Sequence, residues 1–188
     1  DRTDYAIPDG VMIEGFAEGQ PPDYYALSDW QLEMNRVLGV VRRGKVILAQ
    51  SYLNAGDLTA RGFVLGSYLL VKGSHTFVNM WIGAQAQWFP EYAVNLGAPV
   101  SGPPSSIDAL RTAGGLYVRR YARGLVAVNP GTAAARLSLG APMRLVHPVG
   151  GGALNDSADT RGWRLQLQPV RGSVSVPAHG GVVLLSGG

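Results

Sequence analysis

An alternation of short apolar runs with longer amphipathic stretches, over the first ninety residues, constrains the fold more than any other feature of this chain. The runs at residues 9–16, 45–52 and 76–81 are short and almost continuously apolar, which is typical of strands covered on both faces in a parallel sheet. The two stretches between them repeat their apolar residues at helical spacing. The order strand, helix, strand, helix, strand predicts βαβ units.

The boundaries of the two helices are suggested by local capping signals. Ser28 with Gln31 three positions later forms a capping box and predicts the start of the first helix, which is expected to end at Gly44. Asp57 is expected to cap the second helix, which ends near Gly73.

A stretch rich in proline and glycine, from residue 88 to 106, shows neither the helical nor the strand periodicity of apolar residues. It is expected to be a connection. Beyond it, residues 115–121 and 124–130 predict a hairpin with its turn at 122–123. Further short strands are predicted at 135–139, 143–147, 164–167, 174–176 and 181–185, the spacing of a small antiparallel β-sandwich. The predicted organisation is therefore 1–90 for the parallel units, 91–112 for the connection and 113–188 for the β-sandwich.

Composition excludes several classes of function. Hydrophobic residues make up 46% of the chain and charged residues 15%, as in a globular protein. The sixteen Lys and Arg residues are dispersed, so no nucleic-acid partner is expected, and no apolar run is long enough to predict a membrane span. Cysteine is absent, and His75, His147 and His179 lack neighbours at ligand spacing. No metal site and no cofactor are predicted.

Three segments carry a resemblance to a known family: DGVMIEGF at 9–16, WFPEYAVNLGAP at 88–99 and YVRRYARGLVAVNP at 117–130. Together they resemble glycoside hydrolases of the hypothetical glycosyl hydrolase family 15 type. The resemblance implies the C-terminal part of a (β/α)8 TIM-type barrel followed by a small antiparallel β-sandwich. A complete barrel has about 250 residues, so it also implies a missing N-terminal barrel half, in the same protein or in a second chain.

Glu14 is the candidate catalytic residue. It ends the first apolar strand and precedes a loop, the position at which barrel enzymes carry catalytic groups. Glycoside hydrolysis uses two carboxyl groups, one to protonate the leaving oxygen and one as nucleophile or base. The second is expected on the missing half. The alternative for Glu14 is a structural carboxylate bonded to loop amides or to an arginine.

Polar and aromatic side chains at the strand ends and in the loop after Glu14 are the candidates for binding sugar: Gln50, Tyr52, Asn79, Trp81, Tyr24 and Tyr25. Such groups bond sugar hydroxyls, and aromatic rings offer an apolar face to the pyranose. The alternative for the strand-end residues is packing inside the barrel, and for the two loop tyrosines a position on the surface.

These features predict a glycosidase that acts on a polysaccharide, and the resemblance implies a secreted or extracellular location. A non-catalytic carbohydrate-binding or structural protein on the same scaffold is the alternative, since a fold does not dictate a function. A third possibility is that the β-domain is an assembly module that presents sheet edges to partners.

Overall fold

The computed structural model describes residues 7–19, 23–81 and 83–187 of the 188-residue chain. Two α-helices lie in this part, α1 (Leu27–Val41) and α2 (Leu58–Val71). They alternate with three parallel strands, β1 (Gly10–Glu14), β2 (Val46–Gln50) and β3 (Thr76–Asn79). The strands form one sheet in the order β1-β2-β3, so the three short apolar runs are confirmed as strands.

Each helix begins for a different reason. The side chain of Asp57 accepts hydrogen bonds from the backbone nitrogens of Thr59 and Ala60, at 2.9 and 3.0 Å, and this confirms the predicted cap. The Ser28 cap is wrong. The helix α1 already begins at Leu27, because the carbonyl of Ala26 accepts from the backbone nitrogens of residues 29 and 30 and closes the first turn without a side chain.

The remaining strands belong to antiparallel sheets. A five-stranded sheet has the order β10-β8-β12-β6-β5, and two-stranded sheets pair β11 with β7 and β4 with β9. The strands are β4 (Gln87–Trp88), β5 (Tyr117–Tyr121), β6 (Gly124–Asn129), β7 (Ala135–Ser138), β8 (Met143–Val149), β9 (Gly152–Ala153), β10 (Arg164–Val170), β11 (Ser173–Val176) and β12 (Gly180–Ser186). The predicted hairpin is confirmed, with Tyr121 opposite Gly124.

The helix α2 packs on the five-stranded sheet at very close range. A Cβ atom added at Gly62 would lie 2.5 Å from the carbonyl oxygen of Gly181 in β12, and one at Gly66 would lie 2.7 Å from the side chain of Val128 in β6. Only glycine permits this approach of helix backbone to strand backbone. From Ala60 to Val71 almost every residue of α2 is therefore buried.

Strand β6 is buried on both of its faces. Val126 and Val128 contribute to the core that contains both helices. Leu125 and Ala127 contribute to a second core, which includes Val174 of β11. Because side chains alternate along a strand, one strand supplies both cores.

The predicted fold class is wrong. The described residues contain only two α-helices, most strands lie in small antiparallel sheets, and no part of a (β/α)8 barrel is evident, so the fold is mainly β. The pattern of apolar residues correctly predicted the three parallel strands, but it does not reveal which elements pack over a helix. In a barrel each helix lies in an outer ring, whereas α2 is covered by the antiparallel sheet.

Neither described helix has the length and apolar character needed to cross a membrane. The predicted boundaries at 90 and 112 remain a prediction. Contacts cross them: Gln31 of α1 donates to the hydroxyl of Tyr117 in β5 at 2.8 Å. The indole nitrogen of Trp30 donates to Ser67 of α2 at 3.1 Å, and the Trp30 ring also packs edge-on to Tyr117.

Candidate functional site

A row of polar side chains crosses the carboxyl edge of the parallel sheet. Glu14 lies opposite Gln50, and Gln50 lies opposite Asn79. Residues in register on neighbouring parallel strands point to the same face of a sheet. The sheet therefore brings together three of the side chains that the sequence singled out.

Two members of this row are joined by their amides. The Nδ2 of Asn79 donates to Oε1 of Gln50 at 2.8 Å, and Nε2 of Gln50 donates to the carbonyl of Ser51. Gln50 is 5% exposed, so both ends of its amide are engaged inside the protein. Glu14 and Asn79 are exposed and are the members of the row that a ligand can reach.

Tyr52 belongs to the same site. Desolvation together with the nearby charge of the Glu14 carboxylate raises the pKa of Tyr52, so its hydroxyl lies near Glu14. The structure thus places Tyr52 near Glu14, whereas the sequence had placed it only at a strand end.

The loop after β1 is tightly constrained. Gly15 and Ala17 both have positive φ, 72° and 67°, and for a residue with a side chain this conformation is uncommon. The backbone nitrogen of Phe16 donates to the carbonyl of Gln50 at 2.8 Å. The backbone nitrogen of Ala17 donates to Oε2 of Glu33 at 2.9 Å. These bonds hold the chain that follows Glu14 against β2 and α1.

Glu18, in this loop, is a buried acid that the sequence did not single out. It is 2% exposed, and the hydroxyl of Ser51 donates to its Oε1 at 3.4 Å. Burial raises the pKa of Glu18 from 4.5 to about 7, against the opposing effect of the Ser51 hydrogen bond. Nothing local in the sequence marks Glu18 as buried, because the residues that act on it, Ser51 and Asp57, lie far along the chain.

Glu33 supports the loop from the helix side. Desolvation raises its pKa from 4.5 to about 7, while the hydrogen bond from Ala17 and the charge of Arg36 act in the opposite direction. A cavity of about 300 Å³ lies beside Glu33 and is also lined by Val11, Ile13 and Tyr25. An acid with a raised pKa near a cleft is a recognised mark of a functional region.

The aromatic candidates are dispersed around the site. Tyr24 stacks on His179 of the turn before β12, with ring centroids 4.3 Å apart and an interplanar angle of 11°. Tyr25 faces the other way, into the cavity beside Glu33. Trp81 is half-buried against the core. These side chains surround the loop after β1 and the end of β3 without forming one aromatic wall.

Glu91 has a structural role. Its carboxylate accepts two hydrogen bonds from Arg61 of α2, at 2.7 and 2.6 Å, and the two side chains are 5% and 3% exposed. Arg61 also lies over the ring of Phe89. A bidentate buried pair of this kind ties α2 to the short 3₁₀ helix at Pro90–Ala93.

Large apolar side chains are exposed next to the polar row. Met12, Leu48 and Phe77 lie in register across β1, β2 and β3, and their exposed fractions are 52%, 47% and 58%. They lie two residues before Glu14, Gln50 and Asn79 on the same face of the sheet. An exposed apolar patch beside polar groups is typical of a binding surface.

The described residues contain no group of three or more His, Asp or Glu side chains that could hold a metal ion. What the edge offers is an exposed carboxylate, an exposed amide and a phenol, which together suit a ligand with many hydroxyl groups. The family model described as hypothetical glycosyl hydrolase family 15 matches residues 1–125. The chain belongs to this family, and the resemblance drawn from the sequence is confirmed. No curated protein matches the chain.

Proposed function

We propose that the protein hydrolyses glycosidic bonds in a polysaccharide, with Glu14 as one of two reacting carboxyl groups. The observation that carries this proposal is the placement of Glu14, exposed at the carboxyl edge of the parallel sheet and opposite Gln50. The family description names the same class of reaction. Glu14 then serves as nucleophile or as general acid and base.

The second carboxyl group is proposed to come from polypeptide outside the described residues, in the same protein or in a second chain. Two acids near this edge are already engaged: Glu18 is buried beside Ser51, and Asp57 caps α2. The exposed apolar row of Met12, Leu48 and Phe77 supports the presence of further covering polypeptide, since burial of such side chains is favourable.

Substrate contacts are assigned by exposure. Asn79 is proposed to bond a sugar hydroxyl directly, because it is exposed while its partner Gln50 is buried. Trp81 and Tyr24 are proposed to offer ring faces or edges to neighbouring sugars. Tyr25 lines the cavity beside Glu33 and receives no substrate contact in this proposal. A polysaccharide substrate is consistent with an extracellular location, which remains a prediction.

The test is hydrolysis of a panel of plant, bacterial and algal polysaccharides by the intact protein. Glu14→Gln keeps the size of the side chain and removes its acid. We expect turnover to fall by roughly a thousandfold or more, the order of loss seen when a reacting group is removed. Asp9→Asn, at the exposed residue that precedes β1, removes an equal charge and should leave turnover unchanged.

Binding of the polysaccharide separates the alternatives. If the intact protein binds a sugar polymer without any turnover, and Glu14→Gln binds it equally well, the protein is a carbohydrate-binding or structural member of the family. The role proposed for Glu14 is then wrong.

A further inference from the structure

A cleft opens at the amino-terminal edge of the parallel sheet, at the end of β2 and β3 opposite to the polar row. Its volume is about 440 Å³. Its walls come from the turns that precede β2 and β3 and from the loop at residues 99–103. Because β2 has five residues, roughly 16 Å of strand separate this cleft from the polar row. The cleft is therefore a separate site.

The ionisable side chains that line this cleft are all basic: Lys45, Lys72, His75 and Arg119. Neither Asp nor Glu occurs among its lining residues, although the hydroxyls of Ser74 and Ser101 do. A cleft lined by charge of one sign concentrates counter-ions of the other sign, because its protein walls screen the field less than water does. Its chemistry favours an anion.

Arg119 gives the cleft a buried cation. The side chain is 3% exposed, and its Nη1 donates to the carbonyls of Leu69, Leu70 and Lys72 at the end of α2, at 3.2, 3.1 and 2.8 Å. Its Nε has no hydrogen-bond partner among the described residues, and no described carboxylate forms an ion pair with it. The guanidinium also lies 5.6 Å from the centroid of the Tyr121 ring. A buried donor without a partner is costly, and an anion in the cleft would offset that cost.

The walls of the cleft are fixed by contacts outside it. Arg42, the residue that follows α1, donates through Nη1 to the carbonyls of Pro104 and Ser105, the first at 2.9 Å. The backbone nitrogen of Val100 donates to the carbonyl of Arg120 at 3.1 Å. The loop is thus held to α1 and to β5 before any ligand arrives. A site formed in advance loses less conformational freedom on binding.

We propose that this cleft binds an oxyanion, namely a phosphate, sulfate or carboxylate group, beside Lys72, His75 and Arg119. Such a group occurs both in free inorganic anions and in acidic polysaccharides. Titration with each kind of ligand decides which of the two the cleft binds. The site does not depend on the role of Glu14.

Isothermal titration of the intact protein with inorganic phosphate and with sulfate tests the proposal. Lys72→Met keeps the hydrocarbon stem and removes the charge, and we expect it to weaken anion binding about tenfold, the value of one charge-assisted hydrogen bond. Lys72→Arg keeps the charge and should bind nearly as well as the natural protein. Arg144→Met removes an equal charge from an exposed position on β8 that does not line the cleft and should bind normally.

A polyuronate and a neutral polysaccharide of equal length identify the source. Polyuronate binding that phosphate displaces, with none by the neutral polymer, assigns an acidic glycan as the ligand. Phosphate or sulfate binding without polyuronate binding assigns a free anion. The proposal is overturned if none of the three anions binds, or if Arg144→Met weakens binding as much as Lys72→Met, since net charge alone would then explain the attraction.

Discussion

Two acids that support the loop after β1, Glu18 and Glu33, have raised pKa values near 7. For Glu18 the folded-state pKa of about 7 exceeds the unfolded value of 4.5. Between these two pH values the folded protein keeps a proton on Glu18 that the unfolded chain loses. The resulting stabilisation is complete below pH 4.5 and is lost as the pH rises through about 7. A tenfold difference in proton affinity between the folded and unfolded states corresponds to about 1.4 kcal/mol.

Glu18→Gln should therefore reduce the pH dependence of stability. We expect the free energy of unfolding of the natural protein to fall between pH 5 and pH 8, and the variant to lose roughly 1 to 3 kcal/mol less over that range, because its amide does not ionise. Urea unfolding at both pH values measures this. Asp9→Asn, at an exposed acid, should retain the natural pH dependence, and an equal dependence in Glu18→Gln would contradict the assignment.

At the scale of elements, the two helices contain glycines in opposite surroundings. A Cβ atom added at Gly62 of α2 would lie 2.5 Å from the carbonyl oxygen of Gly181. Nothing lies within 4 Å of a Cβ atom added at Gly39 of α1. Alanine is favoured over glycine in a helix by about 1 kcal/mol. Only at Gly39 can that preference be realised.

Gly39→Ala is expected to raise the free energy of unfolding by about 0.5 to 1 kcal/mol. Gly62→Ala is expected to lower it by about 1 to 3 kcal/mol, because the strand backbone of β12 must move. Chemical denaturation of the two variants measures the difference. A gain in stability at Gly62 would mean that α2 does not approach β12 as closely as described.

The strands and the Asp57 cap could be predicted from the sequence because each depends on residues close together in the chain. The polar row was found in part for the same reason, since Glu14, Gln50 and Asn79 each end a strand. Local sequence could not show that the predicted barrel is wrong, that α1 begins before Ser28, or that Glu18 is buried. Each depends on tertiary packing or on a backbone hydrogen bond that no side-chain pattern reveals.

At the scale of the whole molecule, the parallel and antiparallel parts share a core. The helix α2 lies on β6 and β12, and the rings of Tyr24 and His179 stack between the loop after β1 and the turn before β12. Much of the apolar surface of α2 is therefore covered by residues beyond 112, and the loss of that cover would expose it to water.

Deletion of residues 113–188 from the intact protein should abolish cooperative unfolding of the part that contains α2. Circular dichroism during heating, compared with the undeleted protein, measures this. A deleted protein that still unfolds in one sharp transition at an unchanged temperature would show that the two parts are independent domains, as the sequence-based boundaries propose.

The double burial of β6 also bears on how this family can vary in evolution. Inserting one residue in the strand would turn Val126 and Val128 toward the second core, and Leu125 and Ala127 toward the core that contains both helices. A single insertion would therefore mispack both cores. The number of residues in β6 should therefore stay constant among descendants of a common ancestor, because a change of length in this strand exchanges its two buried faces.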